Sequence, residues 1–155
     1  MKFRFESSPT KSEIYISGAI NEETEDTLGK NRDAFSSANI DINCRDVTSV
    51  NSIGISHWTH FFISLDQNPV ISFYDVPEIL MDAAQAVRHF FGSGAVKSFY
   101  VSANCDACDL YTRAQFSTDA LNGLENFPAI ACESCGKEAE LDEELADYRA
   151  VLSLR

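Results

Sequence analysis

Apolar and polar positions alternate or recur in a sequence of short blocks. Phe3 and Phe5 alternate with Arg4 and Glu6, and Ser7-Ser-Pro-Thr10 reads as a turn. Glu13–Gly18 is a second strand with Ile14 and Ile16 on one face, and Asn21 followed by Glu22, Glu23 and Glu25 marks a helix start, expected to run to about Ser36. Ile40, Ile42 and Cys44 then alternate with Asp41, Asn43 and Arg45. Past Val47 the period changes, and Ile55, Trp58, Phe62 and Leu65 recur at helical spacing until Asn68-Pro69. Val70–Tyr74 is another strand. Pro77 opens a helix over Glu78–Phe91 with Leu80, Ala83 and Val87 on its apolar stripe, and Val96–Val101 is a strand.

This order, β-β-α-β-α-β-α-β in about the first 100 residues, predicts an α/β fold: a mixed sheet with helices packed mainly on one side. Beyond it, residues 109–115 read as a strand, and residues 117–126 as a polar loop over Leu121 and Leu124. Asp142 is expected to cap a helix ending near Leu152, with Leu145, Tyr148, Val151 and Leu152 apolar. The division is therefore residues 1–100 and a small module, residues 101–155. So few apolar residues in the module are not expected to hold it by burial alone.

Cysteine spacing supplies what burial lacks. Cys105-x-x-Cys108 and Cys132-x-x-Cys135-Gly136 can wrap one tetrahedral ion in two tight turns, the second relieved by Gly136. Zn²⁺ suits four sulfur ligands, and four thiolates leave no open position, so one structural zinc is expected. Two disulfides or a redox dithiol are the competing readings of the same residues. Cys44, inside an apolar alternation, reads as a small core residue.

Charge narrows the partners. The chain carries 12 Lys and Arg against 24 Asp and Glu, a net charge of −12, and binding a phosphate polyanion needs a basic face. Nucleic acid is thus disfavoured and a protein partner favoured. No apolar run is long enough to cross a bilayer, and the N-terminus has no signal-peptide core, which points to the cytoplasm. His57 and His60 on the helix after Ser52, and His89, lack a carboxylate at ligand spacing and read as exposed polar positions. Neither a nucleophile elbow nor a phosphate loop appears, so an enzyme is not expected.

One stretch has a family likeness. Ile42-Asn-Cys-Arg-Asp-Val-Thr-Ser-Val-Asn-Ser-Ile-Gly54 resembles the STAS domain of sulfate transporters and anti-sigma factor antagonists, in which a strand runs into Asp-Ser-Ser/Thr-Gly at a helix start. Asn51, Ser52, Ile53 and Gly54 occupy those positions. Ile14–Asn21 resembles the family's second strand, and Phe90-Phe-Gly92 the end of its last helix. The likeness covers residues 1–100, while the remainder resembles a rubredoxin-type zinc ribbon. It implies a non-enzymatic regulatory adaptor of the kind that, in bacterial members, binds a kinase-like anti-sigma factor. Phosphorylation of the serine matching Ser52 would release that partner, and a cognate phosphatase would restore binding. Asn51 for aspartate and Ile53 for a hydroxyl residue depart from the pattern. A thiol-redox protein using one Cys pair and a nucleic-acid-binding ribbon are the alternatives.

Overall fold

Three strands in register build the centre of the protein: Ile14 of β2 (Lys11–Ile20) faces Ile42 of β3 (Asn39–Val50), which faces Phe73 of β4 (Val70–Tyr74). The row continues to Val96 of β5 (Ala95–Val96). All four side chains are buried, each contributing about 1.5–3 kcal/mol relative to exposure. The computed structural model describes residues 1–8, 10–65 and 69–153. Pro9 and Asn68, which enter the sequence expectations above, lie outside them.

The strand order is β1-β2-β3-β4-β5, with β1 (Lys2–Ser7) antiparallel to β2 and the other pairs parallel. One sheet face is covered: Trp58 and Phe62 of α2 (Ser52–Ser64) pack their rings 6.2 and 5.1 Å from that of Phe73. Buried residues of α1 (Thr24–Lys30), α3 (Glu78–Ala86) and α4 (Leu145–Leu152) join the same core. The other face is polar, with Lys11 Nζ 2.8 Å from Asp41 and the Arg4 guanidinium 4.1 Å from the Tyr15 ring centre. The expected mixed α/β sheet is therefore present.

Local boundaries differ from the sequence pattern. The first helix stops at Lys30, and a 3-10 turn, Arg32–Phe35, follows. The third ends at Ala86 instead of Phe91. Val87 is extended and His89 takes φ +60°, and both Phe90 and Phe91 are buried in the core.

After β5, a single residue, Lys97, separates the first sheet from β6 (Ser98–Cys105). β6 pairs with β7 (Leu110–Ser117) as a hairpin and with β9 (Glu138–Leu141), which pairs with β8 (Ile130–Ala131), giving the order β7-β6-β9-β8. The two sheets are stitched where Val76 and Phe99 bridge in parallel. Residues 100 and 101 both lie inside β6. Phe99, Val101, Phe116, Leu121, Leu145, Tyr148 and Leu152 belong to the main core, so burial does stabilise much of the C-terminal third. Among the described residues, Ala103, Cys105, Cys132 and Ala139 form a separate buried cluster. Leu124 is exposed, not tucked under its loop. Glu144, not Asp142, precedes α4, and its side chain makes no capping bond.

Candidate functional site: a strand–helix corner and a tetracysteine end

β3 outgrows its neighbours. Its pairing with β4 ends at Asn43, while two irregularities in the β2 pairing let it advance to Val50 opposite Ile20. There the chain turns at Asn51 into α2. The Asn51 side-chain oxygen accepts from the Gly54 N–H at 2.8 Å, capping the helix, and its amide donates to Glu22 Oε2 at 3.1 Å. An aspartate could do only the first, and would place its charge against Glu22. Asn51 thus fits this corner. The Glu22 carboxyl is held below its usual range by its own backbone amide and then by Asn51.

Gly54 is set by contact. A Cβ there would lie 2.3 Å from the Ile20 carbonyl oxygen, so only glycine lets the first turn of α2 rest on the end of β2. With Gly54 buried beneath, Ser52 and Ile53 are exposed, Ile53 by 52%. All four motif residues are therefore brought together, two as scaffold and two as surface.

His57 departs from the expected exposed face. It is half-buried, with Nε2 3.5 Å from Glu25 of α1 and a buried Nδ1 that has no hydrogen-bond partner among the described residues. Its carboxylate comes from another helix, which helical spacing along α2 could not reveal. His60 and His89 are exposed.

At the far end of the second sheet, two hairpin tips meet. Cys105 and Cys108 lie at the β6–β7 tip, Cys132 and Cys135 at the β8–β9 tip, and the β6–β9 pairing holds the tips side by side. The four sulfurs lie within 4.8 Å of one another, an arrangement that can hold a metal ion. Cys105 and Cys132 are buried, Cys108 half-buried and Cys135 exposed, and none is in a disulfide. In each tip the residue after the second cysteine is left-handed, Asp109 at φ +51° and Gly136 at φ +71°. The Cys135 and Ser134 amides point at the Cys132 sulfur and lower its thiol to about 7. The Cys108 and Ala107 amides bear on Cys105 in the same way, but there burial dominates and the thiol is raised. Cys44 is fully buried among core residues, and burial pushes its thiol up.

The molecule is thus an α/β protein with a mostly parallel sheet, one open strand–helix corner and a tetracysteine cluster on a second, antiparallel sheet. No family model matches the chain, and no curated protein is similar to it. Among solved structures it overlaps the anti-sigma factor antagonist SpoIIAA in its unphosphorylated form. That overlap has a TM-score of 0.34 and 13% identity, over 47% of this chain and 72% of the other. It is partial, and the fold described above rests on strand order and register alone. No helix among the described residues is long and apolar enough to cross a membrane.

Proposed function

We propose that the chain is a non-enzymatic, cytoplasmic regulatory adaptor of the anti-sigma factor antagonist type. It binds a protein partner through the corner of Asn51, Ser52, Ile53 and Gly54, and one structural zinc ion on Cys105, Cys108, Cys132 and Cys135 braces its C-terminal sheet. The observation that carries this reading is the corner itself: Ser52 and Ile53 stand exposed on a helix start whose cap and glycine are fixed from beneath. An exposed apolar residue beside a hydroxyl suits a partner surface. A phosphate on Ser52 would add about −1.5 to −2 charges next to the Asn51–Glu22 pair, enough to repel a close partner. A kinase-like ATPase is the partner this logic calls for, with a phosphatase to reset it.

For the metal, sulfurs placed about 2.3 Å from a tetrahedral ion stand roughly 3.8 Å apart. The Cys105 and Cys135 sulfurs are 3.6 Å apart, and inward amides of this kind stabilise thiolates.

The test is capture from the source organism's lysate with native, Ser52→Ala and Ser52→Asp baits, read by mass spectrometry, alongside metal analysis of the purified chain. A kinase-like ATPase held by the first two and lost with Ser52→Asp is the expected result. Equal capture of the same proteins by all three removes Ser52 as the control point. One zinc per chain is expected; a metal-free chain whose Cys pair reduces a disulfide substrate would replace the zinc reading with a thiol-redox one.

A further inference from the structure

Among the described residues the two sheets end in four edge strands, and three of them are guarded. β5 and β8 are two residues long, and β1 carries Lys2, Arg4 and Glu6 along its six residues. Short strands and edge charges keep a free edge from pairing with another chain. The fourth edge, β7, has neither protection. It runs for eight residues, Leu110–Ser117, with no Pro, no Lys, no acidic residue and Arg113 as its one charge. Its register against β6 is continuous, from Ser98 opposite Ser117 to Cys105 opposite Leu110, so no bulge twists it away.

The hydrogen bonds of β6 show which groups this edge offers. The Tyr100 N–H donates to the Val76 carbonyl at 2.9 Å, and the Val76 N–H to the Ser98 carbonyl at 3.0 Å. The Asp142 N–H donates to the Ser102 carbonyl at 2.9 Å. Ser98, Tyr100 and Ser102 therefore turn their backbone groups away from β7, and Phe99, Val101, Ala103 and Cys105 turn theirs toward it. The register joins those four to Phe116, Ala114, Thr112 and Leu110. Tyr111, Arg113 and Gln115 are left with N–H and C=O directed outward. No backbone group of another segment among the described residues bonds to them. The side chains here are also uncovered: Tyr111 is 73% exposed, the most of any large hydrophobic residue described, and Leu110 beside it 43%.

Charge chooses the occupant. Copies of a chain with net charge −12 repel one another, yet β7 has no carboxylate to bring against its twin. Paired antiparallel about Thr112, two copies set each Arg113 against the other's Tyr111, a cation facing a ring, and each Leu110 against the other's Ala114. Both Tyr111–Arg113 pairs then fall on outward-directed backbone groups, so each pair exchanges two hydrogen bonds. The Arg113 guanidinium already lies 5.3 Å from the Tyr100 ring centre, and the second ring extends that stack. Centring the pairing on Arg113 would instead oppose two guanidiniums.

We propose that β7 is the seat of a two-fold contact between two copies of this chain, joining their four-stranded sheets edge to edge. The contact lies on another sheet than the Asn51–Gly54 corner and does not rest on the reading given to that corner.

The experiment is sedimentation equilibrium of the full, reduced chain at about 0.15 M salt, where the Debye length is about 8 Å. A concentration-dependent dimer is expected. Arg113→Glu should weaken it at least about tenfold, since a cation–π contact is exchanged for repulsion on both sides of the two-fold axis. Arg45→Glu, the same charge change at an exposed position of β3, should leave it within about threefold. In the native chain, amide exchange followed by NMR should slow at Tyr111 and Arg113 as protein concentration rises, while Thr112 and Ala114, already bonded to β6, hold constant. A chain that stays monomeric up to about 1 mM overturns the proposal and leaves the edge to a strand of another protein. A dimer weakened equally by the two substitutions, or one that forms with exchange at Tyr111 and Arg113 unchanged, overturns it as well by placing the interface elsewhere.

Discussion

The Gln115 side-chain amide donates a 2.6 Å hydrogen bond to Asp75 Oδ1, tying β7 of the second sheet to the end of β4 in the first. Asp75 is a hub. Its carboxylate also accepts from Asn43 of β3 at 2.9 Å and from the Ser98 hydroxyl at 3.0 Å, while its own N–H donates to Ser98. It does this from φ +52°, a conformation in which Asp is tolerated better than most residues. Replacing Asp75 with Ala removes three bonds to a charged acceptor and leaves a strained backbone. Urea unfolding should register a loss of about 2–3 kcal/mol, against about 1 kcal/mol for Gln115→Ala. Equal, negligible losses would mean that the sheets are joined by the Val76–Phe99 bridge and core packing alone.

Gly54→Ala should be far more harmful than its size suggests. The added methyl meets the Ile20 carbonyl at 2.3 Å, so α2 must lift from β2. The expected cost is about 1–3 kcal/mol in thermal or chemical unfolding. Ser52→Ala, on an exposed position two residues earlier, should stay within about 0.5 kcal/mol.

If the four cysteines hold a metal as proposed, removing it should loosen the hairpin tips and spare the core. Hydrogen exchange after chelation is expected to accelerate in residues 105–110 and 130–138, while Trp58 fluorescence is unchanged, because Cys105 and Cys132 belong to a cluster apart from the main core. A thiol reagent should then find four cysteines, with Cys44 reacting only on unfolding. Collapse of the whole chain on chelation would contradict this partition.

The α3–α4 contact should strengthen as the solution is acidified. A carboxyl raised in the folded state binds its proton more tightly than in the unfolded chain. Its stability contribution is therefore complete below the unfolded value and lost as pH rises through the folded one. Asp82 and Glu143 are both raised, with Glu78, Asp142 and Asp147 as the facing charges. Amide exchange in α4 should slow between pH 7 and 5, and Asp82→Asn with Glu143→Gln should flatten that dependence. A native slope unchanged in the double variant would exclude these two groups as its source.

Periodicity along the chain revealed most of the first sheet, because Ile14, Ile42 and Phe73 each sit in a short alternating run and Trp58 and Phe62 in a helical one. The cysteine spacing likewise placed four sulfurs together. What it could not reveal is pairing at long range. Nothing local marks Asp75 as the acceptor for Asn43, Ser98 and Gln115, or Glu25 as the neighbour of His57. The expectation that burial alone would not hold residues 101–155 missed contacts made at long range: the Tyr148 ring of α4 packs 5.5 Å from that of Phe99 in β6 and 6.0 Å from that of Phe127. Phe90 and Phe91 misled in a different way, since the helix ends at Ala86 with Val87 extended, and both rings reach the core from the irregular turn that follows.

Because α4 returns to lie against α3 and β5, the chain's synthesis and its folding run out of step. A nascent polypeptide has all of β1–β5 in hand while Phe99 still lacks the ring of Tyr148. The side of the first core beside α3 and β5 is thus covered by a segment, residues 145–152, that lies about fifty residues further along the chain. A chain cut anywhere between the two cysteine pairs would keep α2 over the first sheet and lose the cover that α4 gives α3 and β5.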